Sequence, residues 1–235
     1  FVQNKSSKDL VDSIGLAAIC TVSGDTRFDR VITIAENFKP IPAIEQFVGN
    51  NKAIIAGSTW KEDEEVLQKT ITAINDPSLR LIIAPHEISD IKELFPDSIR
   101  FSQLQTSNHK PQANCLVIDN VGMLSKLYKY SYISYVGGAL KTNGVHNVLE
   151  ASVYNKIVLF GPYYKKYSEA IGLVKSGGGL SFNNDNELKE TIQNLLTNTV
   201  EYNSRSEAAG DFVKSNKGAT QKIIQFIQEK RLLTN

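Results

Sequence analysis

One segment restricts the fold of this chain more than any other: a short apolar run ends in two glycines, a polar loop follows, and a helical pattern then begins. The apolar run Tyr132 to Val136 is predicted to be a buried strand that Gly137 and Gly138 end. A helix is predicted to start at Val148, and the apolar run 157–160 is the next strand. Strand, glycine loop, helix and strand in this order are typical of a parallel α/β unit.

The same alternation continues through most of the chain. Further strands are predicted at 53–56, 79–84, 99–101, 115–118 and 180–182. Further helices are predicted at 62–74, 88–95, 122–128, 167–174, 185–197, 200–214 and 219–233. The polar segment 103–112 has no clear period and is predicted to be an exposed loop. The fold class that follows is α/β, with a Rossmann-like doubly wound parallel sheet of about six strands and right-handed crossovers.

The first forty residues are less regular. Ser7 to Ile14 is predicted to be a short helix capped by Ser6 or Ser7, and the apolar run Ala17 to Val22 is predicted to be strand-like. Thr26 to Glu36 has a helical pattern. Two prolines in the segment 37–42 indicate a linker.

Composition excludes several classes of function. The 235 residues are 41% hydrophobic and 22% charged, as in an ordinary globular protein, and the formal net charge of +1 gives no reason to expect a nucleic-acid partner. No apolar run approaches the roughly 20 residues of a membrane-spanning helix. Cys20 and Cys115 lie in apolar contexts and are predicted to be buried free thiols. With three histidines and no pair of cysteines at metal-binding spacing, no metal site is predicted.

Small and polar residues follow several predicted strands, at the edge of the sheet where ligands bind in such folds. Ser58 follows the first strand and could hold a phosphate through its hydroxyl. Pro85 and His86 end the next strand, where His86 could bind a ligand, cap the next helix or pack at the rim. The acidic run 62–65 is best explained as a helix first turn that the helix dipole favours, and Lys141 as a solvated surface residue.

The glycine loop and the helix after it form the second part of the predicted site. Gly137 and Gly138 would let the backbone come close to a ligand, and the first N–H groups of the helix could hold an anion. His146 could donate to a phosphate or be structural, while Asn147 is a natural helix cap that could also contact the ligand. Glu150, one turn later, could accept two ribose hydroxyls because a carboxylate only accepts hydrogen bonds.

The pattern V-G-G, N-G-x-H-N-x-L-E and F-G-P over residues 136–162 resembles the nucleotide-sugar half of GT-B glycosyltransferases. The particular residues of this pattern are similar to those of 3-deoxy-D-manno-octulosonic acid (Kdo) transferases of lipopolysaccharide synthesis. The resemblance extends in order through S-G-D-T-R-F-D-R (23–30), A-G-S-T (56–59), I-A-P-H (83–86) and D-N-V-G (119–122). It therefore covers nearly the whole chain.

The resemblance implies roles for particular residues. It places Asn147 and Glu150 on the nucleotide, and it places the backbone of Val121, Gly122 and Met123 beside the cytosine of CMP. The chain departs from the family at position 86, where the family usually has an arginine, so the contact there with phosphate or base differs.

The resemblance also implies an organisation and an activity. Residues 1–37 would be the end of an N-terminal acceptor domain and its linker, and residues 38–235 the CMP-Kdo binding domain. The activity would be transfer of Kdo from CMP-Kdo to lipid A precursor, without a metal or other cofactor. We expect the catalytic base to be a glutamate in a first domain that this chain lacks, so that the chain has no catalytic residue and is inactive alone.

The implied acceptor, lipid A precursor, would be bound through the missing domain at the cytoplasmic face of the bacterial inner membrane, and parts outside this chain would make the membrane contact. Two other interpretations stay open. One is a GT-B enzyme that uses a UDP-sugar, such as a UDP-GlcNAc 2-epimerase. The other is a nucleotide-sensing domain without catalytic activity.

Overall fold

The computed structural model describes residues 1–87, 93–106 and 113–232. Its seven strands are β1 Ala53–Thr59, β2 Arg80–Pro85, β3 Ile99–Arg100, β4 Cys115–Val117, β5 Ile133–Val136, β6 Val158–Phe160 and β7 Gly179–Ser181. They form one parallel sheet in the order β3-β4-β2-β1-β5-β6-β7. The predicted α/β class is therefore confirmed, with seven strands in place of about six.

Helices cover both faces of the sheet. In the first half of the chain they are α1 Lys5–Ser13, α2 Thr26–Glu36, α3 Pro42–Val48, α4 Lys61–Ile74, α5 Phe101–Thr106 and α6 Leu124–Leu127. In the second half they are α7 Leu149–Ser152, α8 Ser168–Ser176, α9 Asp185–Thr197, α10 Thr199–Ser215 and α11 Ala219–Glu229. No helix among the described residues combines the length and the apolar character that crossing a bilayer requires.

Alternation along the strands builds two separate cores. In β1, Ala53 and Ile55 face one core, which α2, α3, α8 and α10 cover. Ile54 and Ala56 face the other core, which α4 and α9 cover. Successive side chains of a strand point to opposite faces, so a strand that is covered on both faces has apolar residues at every position. The buried strands could therefore be predicted from uninterrupted apolar runs in the sequence.

The strand order reverses direction between β1 and β5. From β1 the chain moves outward through β2, and from β5 it moves outward the other way through β6 and β7. Crossovers leaving in opposite directions open a crevice at the carboxyl ends of the two central strands, where ligands bind in open parallel sheets. The loops after Thr59 and Val136 border this crevice.

The N-terminal segment differs from its prediction in two places. Helix α1 begins at Lys5 and is capped by Asn4, whose side chain accepts from the Ser7 N–H at 2.9 Å, so neither Ser6 nor Ser7 is the cap. The run 17–22 is not a strand: it contains a short 3₁₀ turn, and Val22 makes a single bridge with Val2. An apolar run becomes a strand only where a neighbouring strand can accept its hydrogen bonds, and within the described part of the chain this run has only the single bridge to Val2.

Helix α2 has the predicted bounds, because Asp25 caps it by accepting from the Arg27 N–H at 2.9 Å. Its Phe28 and Val31 are buried in the same core as the strands. The helix is therefore packed on the body of the domain. The division of the chain at residue 37 stays a prediction.

Other differences lie near the carboxyl edge of the sheet. Strand β1 continues to Thr59, beyond its predicted end at residue 56, because Gly57 pairs with both Ala84 and Val136. Residues 103–106 of the predicted loop 103–112 belong to α5, while 107–112 lie outside the described residues, as do 88–92 of the predicted helix 88–95. Both cysteines are free, and Cys115 is buried, but Cys20 is only half-buried.

Candidate functional site

The turn after β1 has an unusual backbone. Ser58 has a φ of +53°, in the left-handed region that favours glycine, and the pairing with β2 shifts register between Gly57 and Thr59. The buried Thr59 hydroxyl donates to Glu64 Oε1 at 2.9 Å, and burial raises the pKa of the Glu64 carboxyl. The Glu64 side chain of α4 thus fixes the turn through this hydrogen bond. Ser58 is half-buried and lies where β1 ends at the crevice.

Asp63 ties the two halves of the crevice together. It is 1% exposed and accepts three hydrogen bonds: from the Tyr135 hydroxyl at 2.6 Å, from the Gly138 N–H at 2.9 Å and from the Trp60 N–H at 2.9 Å. These donors belong to β5, to the glycine loop and to the turn after β1. The prediction that the acidic run only complements the helix dipole therefore misses the specific role of this residue.

The glycine loop is packed against protein. A Cβ on Gly137 would lie 2.8 Å from Asp63 Oδ2, and Gly138 has a φ of +90°. A side chain on Gly138 would lie 2.7 Å from His146 Cδ2. The atoms nearest to such side chains belong to Ser58 and Asp63 at Gly137, and to Gly144 and His146 at Gly138, so packing within the protein already requires glycine at both positions. A close approach of these glycines to a ligand stays a prediction. The Gly138 N–H is occupied and is not free to bind an anion.

Three rings are stacked at the end of β1 and β2. His86 lies 4.4 Å from Trp60 and 4.8 Å from His146 between ring centroids, each pair within 28° of parallel. The Trp60 indole N–H also donates to His146 Nε2 at 3.2 Å. Burial lowers the pKa of His146, the neighbouring His86 lowers it further, and Asp63 opposes both. Trp60 was not among the predicted site residues, although it is the single tryptophan of the chain and directly follows Thr59 at the end of β1.

Asn147 and Glu150 are hydrogen-bonded to each other. Asn147 Oδ1 accepts from the Leu149 N–H at 3.2 Å, and its Nδ2 donates to Glu150 Oε1 at 3.1 Å. Burial raises the pKa of the half-buried Glu150, while Asn147 and Arg30 oppose the rise. Helix α7 has only four residues, so its dipole is weak and the anion site expected at its start is not supported.

Two cavities meet at Trp60. The first, of about 290 Å³, is lined by nine residues: Arg27, Trp60, Asn143, Gly144, Val145, His146, Asn147, Tyr167 and Glu169. The second, of about 230 Å³, is lined by Trp60, Lys61, Glu62, Asp63, Gly138, Leu140, Lys141 and Asn143. Lys141 forms an exposed ion pair with Glu62 beside this second cavity.

Arg27 is a further residue that the sequence analysis did not assign to the site. Its guanidinium is paired with Asp25 and with Glu169, each at 2.7 Å, and these carboxylates raise its pKa. Both carboxylates are buried. These three side chains, the Arg27 cluster, join the start of α2 to α8, and Arg27 and Glu169 line the first cavity. The pair with Glu169 could not be predicted from a local pattern, because Glu169 is 142 residues from Arg27.

The remaining predicted residues follow β2 and β4. Pro85 ends β2, opposite Thr59. Val121 is 91% exposed, Gly122 has a φ of +90°, and Met123 is half-buried immediately before α6. Since β4 is the strand next to β2, these three residues lie at the same edge of the sheet as His86. The structure thus gathers the predicted residues along the carboxyl ends of β4, β2, β1 and β5.

Comparison with known proteins gives relatives but no family model that matches the chain. The 3-deoxy-D-manno-octulosonic acid transferase of Rickettsia typhi is 23% identical over 202 residues, which are 82% of this chain and 44% of that protein. A bifunctional glycosyltransferase/methyltransferase of Fusobacterium nucleatum is 26% identical over 193 residues, 79% of this chain and 27% of that protein. The chain thus spans less than half the length of either of these two relatives.

Solved structures show the same fold. The C-terminal CMP-Kdo binding domain of WaaA from Acinetobacter baumannii has a TM-score of 0.64 at 17% identity, covering 79% of this chain and 97% of that domain. A UDP-N-acetylglucosamine 2-epimerase has a TM-score of 0.65 at 16% identity, covering 100% of this chain and 58% of the epimerase.

The sheet, its switch point and these solved structures define the fold, which is that of the C-terminal domain of GT-B glycosyltransferases. In sequence the chain is homologous to Kdo transferases, and further relatives of this name come from Aquifex aeolicus, 31% identical over 61% of this chain, and Haemophilus influenzae, 27% identical over 88% of it.

Proposed function

We propose that this chain is the donor-binding half of a Kdo transferase and that it binds CMP-Kdo. The observation that carries the proposal is the series of relatives named 3-deoxy-D-manno-octulosonic acid transferase, the broadest of which matches 88% of the chain. The residues predicted from the sequence also gather at one edge of the sheet, along the crevice where open parallel sheets bind ligands.

The site offers chemistry for each part of CMP. The imidazoles of His86 and His146 and the hydroxyl of Ser58 are hydrogen-bond donors for the phosphate. The amide of Asn147 and the carboxylate of Glu150 would bind the ribose hydroxyls. The exposed backbone of 121–123 would bind the cytosine edge through its N–H and C=O groups.

In the proposed reaction, an acceptor hydroxyl oxygen attacks the anomeric carbon of Kdo. The bond from that carbon to the phosphate oxygen breaks, and its electron pair leaves with CMP. The hydroxyl proton passes to a base, which we assign to a part of the enzyme outside this chain. This chain would orient the donor and stabilise the negative charge that grows on the departing phosphate.

Lipid A precursor would be the acceptor, held by the first domain at the cytoplasmic face of the inner membrane. Residues 1–37 would be the end of that domain and its linker. No residue of this chain is proposed as catalytic. We therefore expect no transfer of Kdo by the chain alone.

Calorimetric titration with CMP and with UDP tests the proposal. CMP should bind and UDP should bind at least tenfold more weakly. Preference for UDP would instead support an enzyme such as a UDP-sugar epimerase, whose fold covers the whole chain. A folded chain that binds neither nucleotide at millimolar concentration would refute both enzyme assignments. Turnover of CMP-Kdo by the chain alone, measured by mass spectrometry, would refute the assignment of the base to another part.

A further inference from the structure

The hydrogen bond between Trp60 and His146 determines where the proton of this imidazole lies. An indole N–H can only donate, so His146 Nε2 must accept and carries no proton. The proton of the neutral ring is then on Nδ1, because the hydrogen bond made by one ring nitrogen sets the state of the other. Protonation of His146 would place a hydrogen on Nε2 and break the bond to Trp60.

The orientation of the ring places Nδ1 on the side opposite Gly138 and Trp60, because the edge with Cδ2 and Nε2 faces these two residues. Among the residues that the structure describes, no hydrogen-bond partner of Nδ1 is found. His146 also lines the first cavity, so this N–H is a donor available to a ligand there.

His86 adds a second imidazole next to the first. Its ring is exposed and is stacked between Trp60 and His146, while its backbone N–H donates to the Thr59 carbonyl at 2.8 Å. The backbone bond fixes His86 at the end of β2. His86 thus places a second imidazole, with its own ring N–H donor, beside that of His146.

Charged groups around the pair come from every neighbouring element: Asp63 and Glu62 from α4, Glu87 after β2, Lys141 and Glu150 from the glycine loop and α7, and Arg27, Asp25 and Glu169 in the Arg27 cluster. Arg27 is already paired with two carboxylates, and Lys141 with Glu62. Lys61 of α4 also lines the second cavity, and Arg30 of α2 acts on Glu150. In the first cavity, the one cation of the lining, Arg27, is already neutralised by carboxylates, which leaves the His146 imidazole as a donor there for an added phosphate.

We propose that Trp60 is a positioning residue that holds His146 as the Nδ1–H tautomer, so that this N–H and the adjacent His86 imidazole bind the phosphate of the nucleotide. The proposal rests on the nucleotide-binding function proposed above. Its consequence is that removal of the Trp60 indole N–H should weaken the contact with the phosphate and leave the contacts with the nucleoside unchanged.

The tautomer can be measured directly. The chain has three histidines, so long-range ¹H–¹⁵N spectra are simple to assign with His86→Gln and His146→Gln variants. His146 should show the Nδ1–H pattern at pH 7.5 in the unmodified chain, and this pattern should be lost in Trp60→Phe, which keeps an aromatic ring but removes the indole N–H. An Nε2–H or doubly protonated His146 in the unmodified chain would overturn the proposal.

Binding of CMP and of cytidine separates the phosphate from the rest of the ligand. Trp60→Phe and His86→Gln should each weaken CMP about 3- to 10-fold at pH 6.5, the effect of losing one hydrogen bond, and leave cytidine affinity unchanged. Tyr132→Phe, which removes one hydroxyl bond to Leu195 at the far end of β5, is the matched control and should change neither affinity.

The outcomes distinguish the two proposals. If the unmodified chain binds neither CMP nor cytidine, the proposed function fails and the phosphate assignment fails with it. If CMP binds but Trp60→Phe leaves its affinity unchanged, only the role of the ring cluster is refuted. Equal weakening of CMP and cytidine would mean that Trp60 has a structural role, which also refutes the proposal.

Discussion

Replacement of Asp63, the carboxylate that joins the two halves of the crevice, should lower the free energy of unfolding much more than replacement of an acidic residue on the surface. In Asp63→Ala, the Tyr135 hydroxyl and the Gly138 N–H stay buried and lose their partner. A buried polar group left unsatisfied costs about 1–3 kcal/mol. Two such groups predict a loss of about 2–6 kcal/mol in the free energy of unfolding, and the half-buried Trp60 N–H can recover a bond to water.

The isosteric Asp63→Asn variant should cost much less. With its carbonyl oxygen at the Oδ2 position, the amide still accepts from Trp60 and Gly138, and its NH₂ can donate to the Tyr135 oxygen. What is lost is the charge assistance and the acceptor of the Tyr135 O–H, while the penalty for burying a carboxylate disappears. We expect a cost of less than half that of the alanine variant.

Urea unfolding followed by far-ultraviolet circular dichroism measures these differences, since tryptophan fluorescence would respond to the substitution itself. Glu62→Ala is the matched control: it lies on the same helical turn, and its exposed pair with Lys141 should contribute at most about 1 kcal/mol. The reasoning is wrong if Asp63→Ala is no more destabilising than this control, or if the asparagine variant is as unstable as the alanine variant.

Three further predictions follow from neighbouring residues. Gly57→Ala would place a methyl group against the Tyr128 hydroxyl and should reduce the free energy of unfolding by about 1–3 kcal/mol or more, measured by urea titration; an unchanged midpoint would contradict the packing. Glu64 has a raised pKa, so its stabilisation is complete below its usual value of 4.5 and is lost as the pH rises through the folded value; Glu64→Gln should flatten this decline in thermal unfolding, and an unchanged pH profile would oppose it. Glu150→Ala should weaken CMP binding by about 1–3 kcal/mol in calorimetry, and unchanged affinity in a folded variant would exclude the ribose contact.

The strands and the class of fold could be predicted because their signals are local. Runs such as 53–56 and 115–118 are apolar without interruption, which only a strand covered on both faces requires. Helix α2 could be bounded because Asp25 provides a cap and the apolar period starts directly after it. The run 17–22 shows the limit of such signals, because its residues suit a strand but within the described part of the chain it has only the single bridge to Val2.

The interior of the site could not be predicted, because its contacts join distant parts of the chain. Asp63 has the sequence context of an ordinary first-turn acid, yet Gly138 is 75 residues away. Gly137 and Gly138 indicated a close approach, but the sequence could not tell whether ligand or protein atoms approach them. Trp60 gave no pattern at all, since a single aromatic residue after a strand acquires its role only from the histidines beside it.

The backbone at Ser58 has a consequence for how this chain can change over generations. A non-glycine residue with a positive φ costs on the order of 1–2 kcal/mol, and glycine would occupy the position without that cost. A library randomised at this position and selected only for heat resistance should therefore become enriched in glycine. The same library selected for nucleotide capture should keep serine, if the hydroxyl is the reason that the chain tolerates the strain.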